Sequence, residues 1–162
     1  MMWVGVALLL FVTVQRIAEL ALSQRNMKRL LARGGHEVAP GHYPFMVALH
    51  ASWLALLWLL GPGPPIELIP LLVFLLLQLA RAWVMATLGE RWTTRIIVVP
   101  GEPLVTGGPY RFVNHPNYLV VAGEILLLPL VFGLWQVALL FSALNAMILW
   151  VRIRAEDKAL RG

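Results

Sequence analysis

An all-α integral membrane protein with five transmembrane helices is predicted by three observations. The 162-residue chain is 60% hydrophobic and 13% charged, with a mean hydropathy of +0.78, whereas a soluble domain carries ~45–50% apolar and about 25% charged residues. Its apolar residues gather into five runs separated by polar or Gly/Pro-rich segments. Its 13 Lys and Arg residues lie in alternate connections or at the span ends beside them, the asymmetry that orients helices in a bilayer.

The first run covers residues 2–22, and about 20 residues at ~1.5 Å each cross a ~30 Å hydrocarbon core. Its basic cluster follows the apolar stretch and no positive charge precedes it, which predicts a span rather than a cleavable signal. Residues 43–60 form the second span, and 66–86 the third, with Gly61-Pro62-Gly63-Pro64-Pro65 turning between them. Ala48/Ser52 and Ala51/Ala55 give the second span a small-residue spacing associated with close helix packing. Residues 118–131 and 134–150, joined by Phe132-Gly133, read as a tight helical hairpin of the fourth and fifth spans. One membrane domain, 1–162, is expected.

Arg25, Lys28, Arg29 and Arg33 follow the first span, Arg91, Arg95 and Arg111 follow the third, and Arg152, Arg154, Lys158 and Arg161 follow the fifth. The positive-inside rule makes that side cytoplasmic, with the N-terminus outside and the C-terminus inside. Membrane orientation thus accounts for the basic balance, and no nucleic-acid partner is expected. With no cysteine, thiolate metal sites and cysteine nucleophiles are excluded. His36, His42, His50 and His115 lack metal-ligand spacing, so no metal is expected.

The loop over residues 87–117 is too long to be a plain connection and is predicted to bind a ligand. Thr94 to Val99 reads as a strand within it, followed by turns at Pro100-Gly101 and Gly107-Gly108-Pro109. Pro116 suits a first helical position and biases His115 to an extended backbone. The free amides of that helix start can receive an anion. The residues 151–162 form a cytoplasmic tail, where Arg152 and Glu156 share a helix face, with Asp157 adjacent. By themselves they predict a solvated ion pair.

Ionisable groups inside the spans are costly enough to read as site candidates. Arg16 and Glu19 are spaced to pair with each other, Arg81 is expected to snorkel to the headgroups, and Glu124 calls for an interhelical partner or a site role. Together with His50, Gln78 and Asn145 these groups gather toward the cytoplasmic half. A cavity open on that side is the expected result. The tryptophans at positions 3, 58, 83, 92, 135 and 150 are assigned mostly to the membrane interface.

From Gly108-Pro-Tyr-Arg-Phe-Val-Asn-His-Pro-Asn-Tyr118, through Glu124, to Arg152-Ile-Arg-Ala-Glu-Asp157, the chain resembles the isoprenylcysteine carboxyl methyltransferase family. The family pattern is a Gly-x-Tyr turn, Arg-His-Pro-x-Tyr-x-Gly opening a membrane helix, a helical hairpin, then Arg-Ile-x-x-Glu-Glu. The resemblance implies an integral-membrane enzyme that uses S-adenosylmethionine in a cytoplasm-facing pocket, with a lipophilic acceptor arriving from the membrane lipid. Carried onto this sequence, it implies cofactor contacts from Val105, Thr106, Gly107, Gly108, Tyr110, His115, Tyr118 and Glu156, with Arg152 orienting an anionic acceptor oxygen. Arg152, Glu156 and Glu124 are the catalytic candidates. A carboxylate acceptor needs no base, whereas a phenol would yield its proton to His115 or Glu124.

Asn114, Val120 and Asp157 stand where the pattern has arginine, glycine and a second glutamate. The compact form is more similar to the bacterial branch, which implies phenolic or pyrone lipids as acceptors beside the isoprenylcysteine carboxylate. The competing readings are a phospholipid N-methyltransferase, a sterol-type reductase using a nicotinamide cofactor, and a non-catalytic membrane scaffold or transporter. An amine acceptor would disfavour Arg152 at the methyl site, and a reductase would need more basic groups for a 2′-phosphate. A transporter would place polar groups on both sides of the midplane.

Overall fold

The computed structural model describes residues 2–161. The chain runs α1 (Met2–Ala32), β1 (His36–Glu37), α2 (Tyr43–Leu60), α3 (Leu68–Leu88), β2 (Ile97–Val98), α4 (Pro116–Val131) and α5 (Trp135–Arg161). Four segments, Met2–Ala32, Pro40–Leu60, Leu68–Arg91 and Trp135–Arg161, are long and apolar enough to cross a membrane. The helix α4 is apolar but has 16 residues, about 24 Å by helical rise. Among the described residues five α-helices are therefore present, four of them of spanning length.

Local chemistry sets the ends of α4. Pro116 occupies its first turn with His115 as N-cap, a place where the missing N–H costs nothing. At the other end Gly133 takes φ +69°, and Leu134 N–H donates to the Pro129 carbonyl while Gly133 N–H donates to that of Leu130, both at 3.0 Å. This pair of bonds is the glycine-closed helix stop that satisfies the last carbonyls and reverses the chain into α5.

Two helices outrun their apolar segments. The first continues ten residues past the predicted 2–22 span, to Ala32, because Lys28, Arg29, Leu30 and Leu31 are good helix formers. Residues 151–161, read from sequence as a tail, continue α5 without a break. Both extensions reach the long loop. Ser23 Oγ accepts from the Thr94 main-chain N–H at 2.9 Å, and Asn26 Nδ2 donates to the Trp92 carbonyl at 2.8 Å. The expected strand over Thr94 to Val99 shrinks to the two residues of β2, which pairs antiparallel with β1 in the register His36↔Val98 and Glu37↔Ile97.

All five helices supply the core, through Leu9, Val12, Trp53, Leu57, Phe74, Leu128, Phe132 and Phe141 among others. The outer surface is apolar as well, with Leu10, Phe11, Leu72, Leu76, Leu139 and Met147 exposed, as befits helices whose outside is lipid. Ala48, Ala51, Ser52 and Ala55 all face outward, so the small-residue spacing of α2 is not used for packing within the chain. Trp92 is buried at 3% exposure rather than interfacial, since Asn26 holds its backbone against α1.

Arg81 also departs from expectation. It does not snorkel: it is 2% exposed and ion-paired to Glu124 on α4, with Glu19 on α1 at 3.1 Å. Arg16 closes the group, 2.8 Å from Glu19 and 2.6 Å from Glu124, and Gln78 donates to Glu124 at 2.8 Å. Two cations and two anions thus cancel inside the helix bundle, which removes the reason for Arg81 to seek water.

Candidate functional site

The two helix extensions, β2, the start of α4 and the long loop line a cavity of about 450 Å³, within the ~300–1,000 Å³ range of small-molecule sites. The wall includes Val105, Thr106, Tyr110, His115, Tyr118, Arg152 and Glu156. Seven of the residues proposed from sequence therefore meet at one place. Gly107, Gly108 and Glu124 are not on that wall.

Gly108 has a packing task instead. It sits at φ +54°, and a Cβ there would lie 2.3 Å from Thr87 Oγ1, so only glycine lets the loop press onto the end of α3. Gly107 N-caps the short turn Gly108–Arg111, and its carbonyl accepts from Tyr110 N–H at 3.1 Å. Glu124 is consumed by the ion cluster, at 1% exposure.

His115 anchors one side of the cavity. Its Nε2 is 3.1 Å from Asp157 Oδ1 and its Nδ1 is 3.5 Å from Glu156 Oε2, while its ring stacks on Tyr118 at 5.5 Å and 21°. These contacts tie the start of α4 to the last turns of α5. Burial, helped by the nearby Glu156 charge, pushes the Tyr110 phenol well above its ordinary value, so it stays a hydroxyl donor at neutral pH.

The predicted Arg152–Glu156 ion pair is replaced by other contacts. Arg152 is 4% exposed; its Nη2 donates to the Thr94 carbonyl at 2.9 Å, and its Nη1 lies 3.1 Å from His42 Nε2 and 3.2 Å from Met46 Sδ. The guanidinium also stands 5.5 Å from the Tyr118 ring centre. Thr94 is held in turn by Ser23 at 2.8 Å and Tyr43 at 3.2 Å through its hydroxyl. His42, Thr94 and Asn117 were missed by sequence reading. Asn117 sits inside the quoted motif, while His42 and Thr94 reach Arg152 from 110 and 58 residues away, beyond any local spacing rule.

Four polar atoms of wall residues are buried without a hydrogen bond among the described residues: Asn117 Oδ1, Arg152 Nε, Trp92 Nε1 and Glu156 Oε2, the last facing His115 Nδ1 at 3.5 Å. Two accept and two donate, which suits a polar ligand rather than a packed core. Beside this cavity an apolar groove runs between α2 and α5, lined by His42, Phe45, Leu49, Met147, Trp150 and Val151 among others. His42 belongs to the groove and Arg152 to the cavity. Their contact is where the two spaces adjoin.

Comparison with known sequences gives this arrangement a class. The profile of the isoprenylcysteine carboxyl methyltransferase family matches residues 68–162, from α3 through the loop and the hairpin. The chain belongs to that family. It is therefore a membrane protein of a methyltransferase family, and its cavity is built almost wholly from the family segment. Similarity also extends to the amino-terminal helices. The uncharacterized protein YpbQ of Bacillus subtilis is 41% identical over 166 residues, 99% of this chain and 97% of that protein. An uncharacterized protein of Haemophilus influenzae is 24% identical over 153 residues, 90% and 88% of the two chains. No solved structure matches the chain.

Proposed function

We propose that the protein is an S-adenosylmethionine-dependent O-methyltransferase acting on a lipophilic acceptor at the cytoplasmic face of the membrane. The observation that carries this reading is the junction of a polar cavity with an apolar groove at Arg152 and His42. A polar cofactor and an apolar acceptor would meet at such a junction. The cavity fits the cofactor: Glu156 Oε2 and Asn117 Oδ1 make no hydrogen bond among the described residues and are acceptors for its amino group and hydroxyls, and the stacked His115 and Tyr118 rings offer aromatic surface. Val105 and Thr106 close the loop side, and Tyr110 offers a hydroxyl.

Bound there, the cofactor supplies a methyl group already activated by sulfonium charge. The chain's own residues then have to align the acceptor and keep water out. Arg152 is placed to orient an anionic acceptor oxygen. Its Nη1 contacts His42 and Met46 and its Nη2 donates once, to Thr94, so of the five N–H donors of the guanidinium Nε–H and the second Nη2 hydrogen have no partner among the described residues. Those donors suit an anionic oxygen, whether of a phenolic or pyrone lipid or of an isoprenylcysteine carboxylate. For a phenol, His115 on the cavity wall would take the proton only by giving up its contact with Asp157 or Glu156, whereas Glu124 is locked in its ion cluster.

The basic residues on the α1 extension, the long loop and the end of α5 support a cytoplasmic placement of the cavity. Calorimetry of S-adenosylmethionine against the detergent-purified protein tests the reading, with His115→Ala and Glu156→Ala variants beside it. Binding by the wild type, weakened about 10–100-fold by loss of a charge-assisted hydrogen bond in each variant, supports it. A folded wild type that binds none overturns it.

A further inference from the structure

We propose that His42 is a positioning residue for Arg152, which sets the acceptor-binding guanidinium at the junction of cavity and groove; the inference rests on the methyltransferase reading. His42 lies outside the segment matched by the family profile. It ends the turn Pro40–His42 and N-caps α2, which brings its ring against the carboxy-terminal half of α5.

The hydrogen bond fixes the state of the ring. A guanidinium has donors and no lone pair, so at 3.1 Å from Arg152 Nη1 the Nε2 of His42 is the acceptor. The imidazole is then neutral, with its proton on Nδ1, which makes no hydrogen bond of ordinary geometry among the described residues. His42 and the Thr94 carbonyl restrain the two Nη groups from two segments far from Arg152 in sequence. That leaves Nε–H and the second Nη2 hydrogen as unengaged donors. Removing His42 frees an Nη group, loosens the guanidinium and opens the wall between cavity and groove.

The role is one of geometry, so the conservative replacement is informative. In His42→Gln the amide oxygen can reach about as far as Nε2 and again accepts from Arg152. In His42→Leu the bulk is retained and the acceptor is lost. The experiment uses the full chain in nanodiscs, a 5-alkylresorcinol as the acceptor probe, and S-adenosylmethionine affinity by calorimetry. The expected result is that His42→Leu lowers kcat/KM for the resorcinol by about tenfold or more, the worth of one hydrogen bond to a charged group. Cofactor affinity stays unchanged and His42→Gln recovers most of the rate. Wild-type kinetics in His42→Leu, an equal loss in the glutamine variant, or loss of cofactor binding in His42→Leu each overturn the proposal.

A second readout needs no turnover. In ¹⁵N-histidine-labelled protein, the His42 signals, assigned by their absence in His42→Gln, should show a neutral ring protonated at Nδ1 and an Nε2 that shifts in Arg152→Ala. A charged ring or an Nε2–H tautomer overturns the contact. If the wild type binds no S-adenosylmethionine, the acceptor role falls with the methyltransferase reading. The tautomer then separately settles whether His42 holds Arg152.

Discussion

Arg152 Nη2, on the last helix, donates to the main-chain oxygen of Thr94, on the long loop, across 2.9 Å. A side chain from the end of the sequence thereby fixes a backbone segment already pinned to α1 through Ser23 and to α2 through Tyr43. Lysine cannot reproduce this, because one ammonium does not span the guanidinium's separated donors. Arg152→Lys is expected to cut acceptor turnover by about tenfold or more while S-adenosylmethionine affinity, read by calorimetry, changes little. Equal loss of both would show that Arg152 supports the whole cavity rather than the acceptor.

The Arg81–Glu124 pair predicts a stability effect. Glu124→Leu leaves Arg81 and Arg16 short of an anion inside the bundle, and breaking a buried pair from one side costs about 3–5 kcal/mol. Arg81→Met combined with Glu124→Leu leaves Arg16 with Glu19 and removes the unmatched charge. Thermal unfolding in detergent should show the single variant well below wild type and the double variant restored in large part. Additive losses would mean that the two residues are not coupled.

Gly108 predicts a coupled loss of stability and affinity. Gly108→Ala must hold φ +54° with a methyl group against Thr87, a cost of about 1 kcal/mol or more. Displacement of the adjoining cavity wall should weaken S-adenosylmethionine binding. Adding Thr87→Ala relieves the clash but not the backbone strain, so it should recover part of the binding. No change in Gly108→Ala would show that the loop accommodates the methyl group without moving the cavity.

Tyr110 predicts a pH effect at the alkaline end. Burial raises its phenol above the ordinary value of 10.0, so above about pH 10 the unfolded chain releases a proton that the folded chain retains. Folding stability contributed by this group is complete below that pH and declines as pH rises through it. Tm measured from about pH 9 upward should fall more steeply for wild type than for Tyr110→Phe. Parallel curves would rule out the buried phenol as the source.

The helix plan was legible because it rests on local pattern, and seven residues of the cavity wall were named through the family resemblance. Apolar run length gave the helices, Gly133 and Pro116 gave the ends of α4, and the motif from Gly108 to Tyr118 gave one wall. Long-range partners were not legible. Spacing pairs Arg16 with Glu19 and Arg152 with Glu156, yet nothing local shows that Glu124 lies beside Arg81, 43 residues away, or that His42 lies beside Arg152. The same blindness hid the true place of Trp92, whose burial depends on Asn26 of α1. Glycine carried two meanings in one motif, cavity wall and packing relief, and only the closeness of Thr87 separates them.

The brevity of α4 has a consequence for the surrounding lipid. A helix of 16 residues is about 6 Å shorter than a ~30 Å hydrocarbon layer, and it carries His115 as its cap and Tyr118 in its first turn. Where such a helix crosses a bilayer, the bilayer adapts to the mismatch by thinning around the protein or by letting polar groups settle below headgroup level. With α4 as a span, either response would lower the cavity toward the acyl chains. On the methyltransferase reading proposed above, a substrate would then be taken up and its methylated product returned without crossing open water, and host lipids of longer acyl chain should slow turnover by deepening the mismatch.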